Sequence, residues 1–421
     1  MAIKKWAHDL FGKCSCFPVL SLIETANWRF FRSKLLPALS LLVIVFYVGS
    51  TFVVSDSKES FSRWGVFGAL KDSESKCKVQ CRVHGTESLP KGIVSATSNL
   101  EMRRLWGTSK DQMKRREHSK KSLLAIAVGI RQKKNVDRIV KKFPPSNFTI
   151  MLFHYDGFVD QWRDLQWSDN VLHVSAVNQT KWWFAKRFLH PDVVDEYNYI
   201  FLWDEDLGVE HFDPVNYLSI VEKEGLEISQ PALDPSLSEV HHRITVRVKK
   251  SRVHRRTYKN RGNGRCYWNS TAPPCTGWVE MMAPVFSRAA WRCAWYMIQS
   301  DLIHAWGLDM KLGYCAQGDR SINVGVVDSE YVAHLGIPTL GGLDENRMSR
   351  EEDGRSSRSE GSARSAKRGR EVSLMNRERG EVRKQSYNEL EIFQERWEKA
   401  VKDDTCWNDP YPQTTNRSRA F

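Results

Sequence analysis

The chain has no C-x-x-C pair and no histidine at zinc-finger spacing, which removes the usual ligand set of a structural zinc site. It carries a net charge of +13 but no base-stacking or groove-reading motif, so nucleic acid is not an expected partner. Charge is also missing from residues 35–55, a run dominated by Leu, Val, Ile, Ala and Phe. Such a run spans a hydrocarbon core of ~30 Å as a helix rising ~1.5 Å per residue. A buried core helix is rarely apolar on every face for so long. The 34 residues in front of the run exceed the n-region of a cleaved signal peptide. Pro37 falls in the first turn, where a missing N–H costs little. Lys4, Lys5, Lys13, Arg29, Arg32 and Lys34 precede the run against only Asp9 and Glu24, an excess that holds this flank in the cytosol. The expectation is a single-pass type II protein of the Golgi or another secretory-pathway membrane, with a cytosolic tail at 1–34 and a signal anchor at 35–55.

Features beyond the anchor agree with a luminal body. N-x-S/T sequons stand at Asn147, Asn178, Asn269 and Asn416. Of nine cysteines, seven follow the anchor: Cys77, Cys81, Cys266, Cys275, Cys293, Cys315 and Cys406. An oxidising compartment allows disulfides, with one thiol left over. Cys77 with Cys81 and Cys266 with Cys275 are the expected local pairs. Cys14 and Cys16 fall on the cytosolic side, where acylation would suit them.

Residues 56–119 are charged and Ser-containing with few periodic apolar positions, and read as a luminal stem. Residues 343–385 are Arg-, Glu-, Ser- and Gly-rich and cannot bury enough apolar surface to offset their ordering entropy, so disorder is expected there. Within 386–421, Leu390, Phe393 and Trp397 recur at helical spacing and predict a helix near 386–402. Between stem and linker, 120–342 alternates strand and helix. Apolar runs at 122–130, 149–157, 171–177 and 197–207 predict strands, with helices at 135–143 and 181–188 between them. This pattern predicts an open α/β sheet of Rossmann type, whose ligands bind beyond the carboxyl ends of the strands.

At one of those ends the sequence reads Phe201-Leu202-Trp203-Asp204-Glu205-Asp206. Three acids clustered behind a hydrophobic strand repel one another unless a cation offsets them. Asp204 and Asp206, two apart, point the same way on an extended segment. Their oxygens suit Mg²⁺ or Mn²⁺ bridged to a diphosphate, although three acids in a surface turn also arise by chance. His334 ends a strand-like run at 326–336. It is either an ordinary half-buried histidine or a third ligand, whose nitrogen would favour Mn²⁺. Asp309 follows Trp306-Gly307-Leu308, where glycine ends a helix expected over 291–306; it is either a helix N-cap or a general base for a hydroxyl acceptor. Residues 243–265 hold ten cations and no acid, so they form either a solvated loop or a cover over an anionic donor or acidic polysaccharide. Most of the many tryptophans in the central block are expected in the core, and a minority could face sugars.

Residues 200–213, 229–245 and 273–309, the last running through Trp306-Gly307-Leu308-Asp309, resemble the plant family labelled "lysine ketoglutarate reductase trans-splicing related". The resemblance covers roughly 75–342 and departs locally at 315–323. It implies a type II membrane protein with a glycosyltransferase-A-like (GT-A-like) fold; the RNA processing in the label finds no support in these residues. It further implies a nucleotide-sugar donor and a glycan acceptor, with Asp204, Asp206 and His334 around Mn²⁺ or Mg²⁺ and Asp309 as base. Gly129, Asp156, Lys181 and Glu205 are the expected donor- and cofactor-contacting positions. The expected activity is metal-dependent glycosyl transfer; the alternative is a non-catalytic membrane scaffold or glycan-binding protein.

Overall fold

The computed structural model of the chain describes residues 82–95, 121–238, 240–259, 261, 265–337 and 361–411, with backbone alone over 361–379. The apolar run 35–55, Cys77, Cys81 and Asn416 lie outside the described residues. Among the described residues, no helix is long and apolar enough to cross a membrane.

The first half is a parallel βα unit: β1 (Ser122–Val128), α1 (Lys133–Lys142), β2 (Phe148–His154), β3 (Leu172–Ser175), α2 (Lys181–Phe188) and β4 (Tyr199–Trp203). β1 lies between β2 and β4, parallel to both, and β3 extends the sheet beyond β2. The second half adds β5 (Leu207–Gly208), α3 (Pro214–Glu224), β6 (Ile228–Leu233), β7 (Val253–His254), β8 (Val285–Ser287), α4 (Arg288–Met297), α5 (Asp309–Leu312), α6 (Arg320–Asn323), β9 (Val324–His334) and α7 (Gly361–Asp403). The sheet runs β3-β2-β1-β4-β8-β6-β9-β5, with β7 also on β9. Short β8 runs antiparallel to both β4 and β6, so the open sheet is mixed.

β1 shows why this sheet is covered on both faces. Leu123 and Ala125 join one buried layer, while Leu124, Ile126 and Val128 join the other, the two-residue alternation of a strand with apolar side chains on each side. One layer takes Val136, Ile139 and Val140 of α1 with Tyr217 and Val221 of α3. The other takes Trp182 and Phe184 of α2, Trp291 and Trp295 of α4, and Phe393 and Trp397 of α7. Local signals set the helix ends. Asp213 caps α3 by accepting from Val215 N (2.8 Å) and Asn216 N (2.9 Å), Pro214 opens it, and Gly225 closes it at φ 65°.

Two segments differ from the compositional reading. α7 begins at Gly361, inside the stretch 343–385 expected to be disordered, and its later turns are docked. Arg396 pairs with Asp301 through both terminal nitrogens at 2.7 and 2.6 Å, and Glu389 receives His304 N at 2.8 Å. Part of the expected stem also belongs to the body. Leu89 and Ile93 are buried, Ser95 N donates to Tyr296 O at 2.8 Å, and Lys91 N reaches Asp404 Oδ2 at 2.8 Å. Cysteines cross-link the second half. Cys266–Cys275 is the expected local pair, Cys293–Cys315 joins α4 to the turn after α5, and Cys406 is disulfide-bonded as well.

Candidate active site

The acidic turn leaves the end of β4, between the end of β1 and the loop before β8. Asp204 is tied down at its backbone, where its N–H donates to Met282 O at 2.8 Å. Its carboxylate meets Lys181, the first residue of α2, at 2.7 Å. Lys181 is 8 % exposed, and its ammonium also donates to Met281 O at 2.6 Å. Lys181 therefore serves the acidic turn as a built-in counter-cation. Protein encloses Asp204 while its carboxylate keeps some solvent contact. This enclosure pushes its pKa up, Lys181 pulls it down, and Asp206 adds to the upward push.

Asp206 has a different partner. Leu207 pairs with His334 in the β5–β9 ladder, and Leu335 N donates to Asp206 O at 3.0 Å. That register brings the His334 Nε2 to 3.4 Å from Asp206 Oδ2, across more than a hundred residues of sequence. The His334 backbone N–H donates to the Ser238 hydroxyl at 3.0 Å, which fixes the end of the strand. The acid and histidine expected to act together are thus brought together by strand pairing.

Glu205 turns inward. It is 1 % exposed, and its two carboxyl oxygens accept from Gly129 N (2.7 Å) and the Tyr155 hydroxyl (2.5 Å). Burial pushes its pKa up to about 8, against the downward pull of those two hydrogen bonds. Gly129 is packed under Tyr155, so that a β-carbon there would run into the phenol ring. Asp156 bridges two strand ends, accepting from Ile130 N at 2.6 Å and Phe158 N at 3.1 Å. Gly129, Asp156 and Glu205, expected to touch a donor, have these groups engaged by the protein itself; they shape the rim of the site from within.

Asp309 is the first residue of α5 and Leu308 is its N-cap, so the capping reading of Asp309 does not describe it. Its Oδ1 accepts from Met310 N at 2.9 Å, and burial pushes its pKa up. The Trp278 indole N–H faces this carboxylate but falls short of hydrogen-bond geometry. Two residues after Trp278 comes a carboxylate that sequence reasoning passed over. Glu280 has its N–H on Gln230 Oε1 at 2.5 Å, while its own Oε2 is buried without a hydrogen-bond partner among the described residues. Burial pushes the Glu280 pKa up to about 7; the charge of His334 opposes this, and those of Asp309 and Asp204 reinforce it. Glu280 therefore lies within electrostatic reach of His334, Asp309 and Asp204. A signal was present in the sequence: Glu280 is the only charged residue between Arg265 and Arg288. His241 and His242, also unassigned, lie on the loop after β6. The His241 ring is 6.3 Å from that of His334, and the His242 ring 4.4 Å from that of Trp278.

Among the described residues, no group of three or more His, Cys, Asp or Glu side chains is arranged to hold a metal ion. Asp206 and His334 stand together, while Asp204 is turned to Lys181. Mg²⁺-type sites commonly use one or two protein ligands and take the rest from substrate phosphates and water, so this pair fits a shared, substrate-completed site better than a protein cage. The basic stretch 243–265 is partly absorbed into the fold. Arg247 donates to Asp328 O at 3.0 Å and stacks over Tyr331, Arg255 reaches Glu224 at 3.1 Å, and buried Asp328 holds His254 at 2.8 Å.

A family described as "Protein of unknown function (DUF707)" matches residues 80–403. No curated protein matches the chain. Among solved structures, the chain is similar to S. aureus TarS 1–349 at 9% identity and a TM-score of 0.32, over 50% of this chain and 59% of that one. The same protein in complex with UDP gives 9% identity and a TM-score of 0.34 over the same shares. A 4-diphosphocytidyl-2C-methyl-D-erythritol synthase from Anaerococcus prevotii is similar at 10% identity and a TM-score of 0.31, over 57% of this chain and 98% of that one. The match thus spans less than two thirds of the TarS chain. At TM-scores this low, none of these likenesses assigns chemistry to the chain.

Proposed function

Because the chain belongs to the DUF707 family, whose description assigns no activity, we propose its function from the site itself: transfer of a sugar from a nucleotide-sugar donor to a glycan acceptor. The reading extends to a GT-A-like fold, to the plant family resembled in sequence, and to a type II orientation in the secretory pathway, which the disulfides support. The observation that carries it is the Asp206–His334 pair beside the Asp204–Lys181 pair beyond the carboxyl end of β4, where open α/β sheets bind their ligands, with Glu280 in electrostatic reach of Asp204, His334 and Asp309.

In this mechanism Asp206 and His334 would hold a divalent ion. When bound, it supplies Lewis-acid neutralisation of the diphosphate leaving group. Lys181 keeps Asp204 oriented and half-neutralised, which limits repulsion when a diphosphate approaches. Asp309 takes the proton from the acceptor hydroxyl as its oxygen forms the new glycosidic bond and the bond from sugar to nucleoside diphosphate breaks. A raised carboxyl pKa suits a base working near neutrality. Glu280, with one oxygen unpaired, orients the acceptor hydroxyl beside it.

A second reading is favoured by one observation. Lys181 already neutralises Asp204, as expected of a non-catalytic scaffold that kept the fold. Calorimetry on the full-length protein, titrating nucleotide sugars with and without Mn²⁺, separates the two. Metal-dependent binding of one donor, abolished in Asp206→Asn, supports transfer; a folded protein that binds no donor supports the scaffold.

A further inference from the structure

The basic stretch before and within the disulfide-closed ribbon has exposed cations that the fold does not absorb, and exposed aromatics beside them. Lys249, Lys250 and Arg252 are exposed on the segment that enters β7. Past β7 the chain forms a ribbon in which Arg256 bridges to Thr276 and Lys259 to Cys266, and the Cys266–Cys275 disulfide closes the returning arm. The antiparallel Lys259–Cys266 bridge sets Tyr258 opposite Tyr267, and these are 58 % and 45 % exposed. Trp268 follows at 80 % exposure, its carbonyl held by the Arg256 guanidinium. Single exposed aromatics are ordinary on protein surfaces. Here three stand on one cross-linked ribbon that continues, along the chain, a run of cations with no acid in its sequence and with Asp234 in reach of Lys249, so the aromatic faces are presented without the entropy of a loose loop.

We infer that this ribbon is a binding surface for an anionic, uronic-acid-type glycan, and that such a glycan is the acceptor; this second part rests on the transfer reading. Aromatic faces stack on the apolar faces of sugar rings, and lysine and arginine meet their carboxylates. The cations are spread along the chain instead of converging on one pocket, which fits an extended polyanion better than a small anion. The same ribbon leads through Cys275 into Trp278 and Glu280, so a glycan lying along it is directed toward Asp309. A disulfide inside the ribbon belongs to an oxidising compartment, which sets glycans above nucleic acid as the polyanion.

The test measures binding of the full-length protein to an oligogalacturonate and to its methyl-esterified form, with no nucleotide sugar present. The acidic form is expected to bind, the ester to bind at least about tenfold more weakly, and added salt to weaken the acidic complex. Trp268→Ala and, separately, Lys249→Gln with Lys250→Gln and Arg252→Gln are each expected to weaken binding about tenfold, with Trp268→Tyr restoring part of the loss. All these sites are exposed, so thermal unfolding should be unchanged and serves as the folding control. Equal binding of acid and ester, or variants that bind like the parent, overturns the inference. So does tighter, variant-sensitive binding to anionic lipid vesicles or single-stranded RNA. Because the assay contains no donor, its failure leaves donor binding untouched, and failure of donor binding leaves this surface standing.

Discussion

Glu205 carries an internal load that its place in the acidic turn does not suggest. The chain bends at Glu205 between the end of β4 and the start of β5, and the middle acid of Asp204-Glu205-Asp206 turns inward, away from the partners of its neighbours. It lands under Gly129 and Tyr155, where burial raises its pKa from about 4.5 to about 8. Such a group stabilises the fold fully below the unfolded value. That stability is lost progressively as pH rises and is gone once pH passes about 8, because only the unfolded chain ionises Glu205 freely over this window. In Glu205→Gln the amide oxygen can still accept from Gly129 N, and the Tyr155 hydroxyl can turn to accept from the amide. The variant is therefore expected to unfold like the parent near pH 4.5. Above pH 8 it should melt several degrees higher, a gain on the order of a few kcal/mol. Melting curves across pH check this, and parallel pH profiles for parent and variant would refute it. The pairings of Asp204 with Lys181 and of Asp206 with His334 were harder to read from sequence. The acids could be seen to share a direction, but the separate partners arise from tertiary placement of α2 and β9.

At the level of elements, what the sequence disclosed depended on length and patterning. β1, β3 and β4 lie within the stretches that apolar runs predict, and β2 overlaps its stretch but for Phe148; β1 and β4 are legible because a strand buried on both faces is apolar throughout, whereas β3 is partly exposed. β5, β7 and β8 have only two or three residues each and exist through their partners, so no local period could announce them. α7 was half-legible. The spacing of Leu390, Phe393 and Trp397 marks a helical stripe, of which Phe393 and Trp397 are buried with Ala400, but the Arg-, Glu- and Ser-rich composition before it hides a helix that starts at Gly361. This helix bears on the candidate site. Trp397 is 5 % exposed, packs its ring 4.9 Å from that of Tyr314 and lies under the Lys311 ammonium. Leu390 and Phe393 close over Gly307, two residues before Asp309; the Gly307 φ of 88° favours glycine, and a β-carbon there would come within 2.7 Å of Leu390 Cδ1. Trp397→Ala is expected to cost about 3–5 kcal/mol, read as a lower denaturant midpoint. Under the transfer reading it should also lower turnover more than donor affinity, since Asp309 is displaced while Asp206 and His334 are not. Equal losses in both would show that α7 supports the sheet as a whole.

At the scale of the whole molecule, the described body is cross-linked by disulfides of the kind that oxidising compartments maintain. Seven cysteines beyond the apolar run admit many pairings, and spacing could single out only short loops: Cys266–Cys275, which forms, and Cys77–Cys81, which lies outside the described residues. Cys293–Cys315 is invisible to spacing because it depends on α4 packing against the turn after α5, the segment that begins with Asp309. Closing a loop of 22 residues stabilises by about 3 kcal/mol in the chain-entropy view. The Cys293→Ser/Cys315→Ser variant, or reductant added to the parent, is therefore expected to lower the melting temperature of the full-length protein by several degrees. The sequons make an independent statement about the same compartment. Asn147, Asn178 and Asn269 are all exposed, so each is accessible to glycan addition if the body is luminal. A chain expressed in a eukaryotic secretory host should lose mass on endoglycosidase treatment, and replacing the three asparagines with glutamine should remove most of that loss. Reductant sensitivity together with endoglycosidase sensitivity places the body in the lumen. Insensitivity to both would put the cysteines in a reducing compartment, where these cross-links do not persist. The type II orientation, and the uronic-acid acceptor argued from the ribbon, would then fall together, because both require the ribbon's disulfide to form.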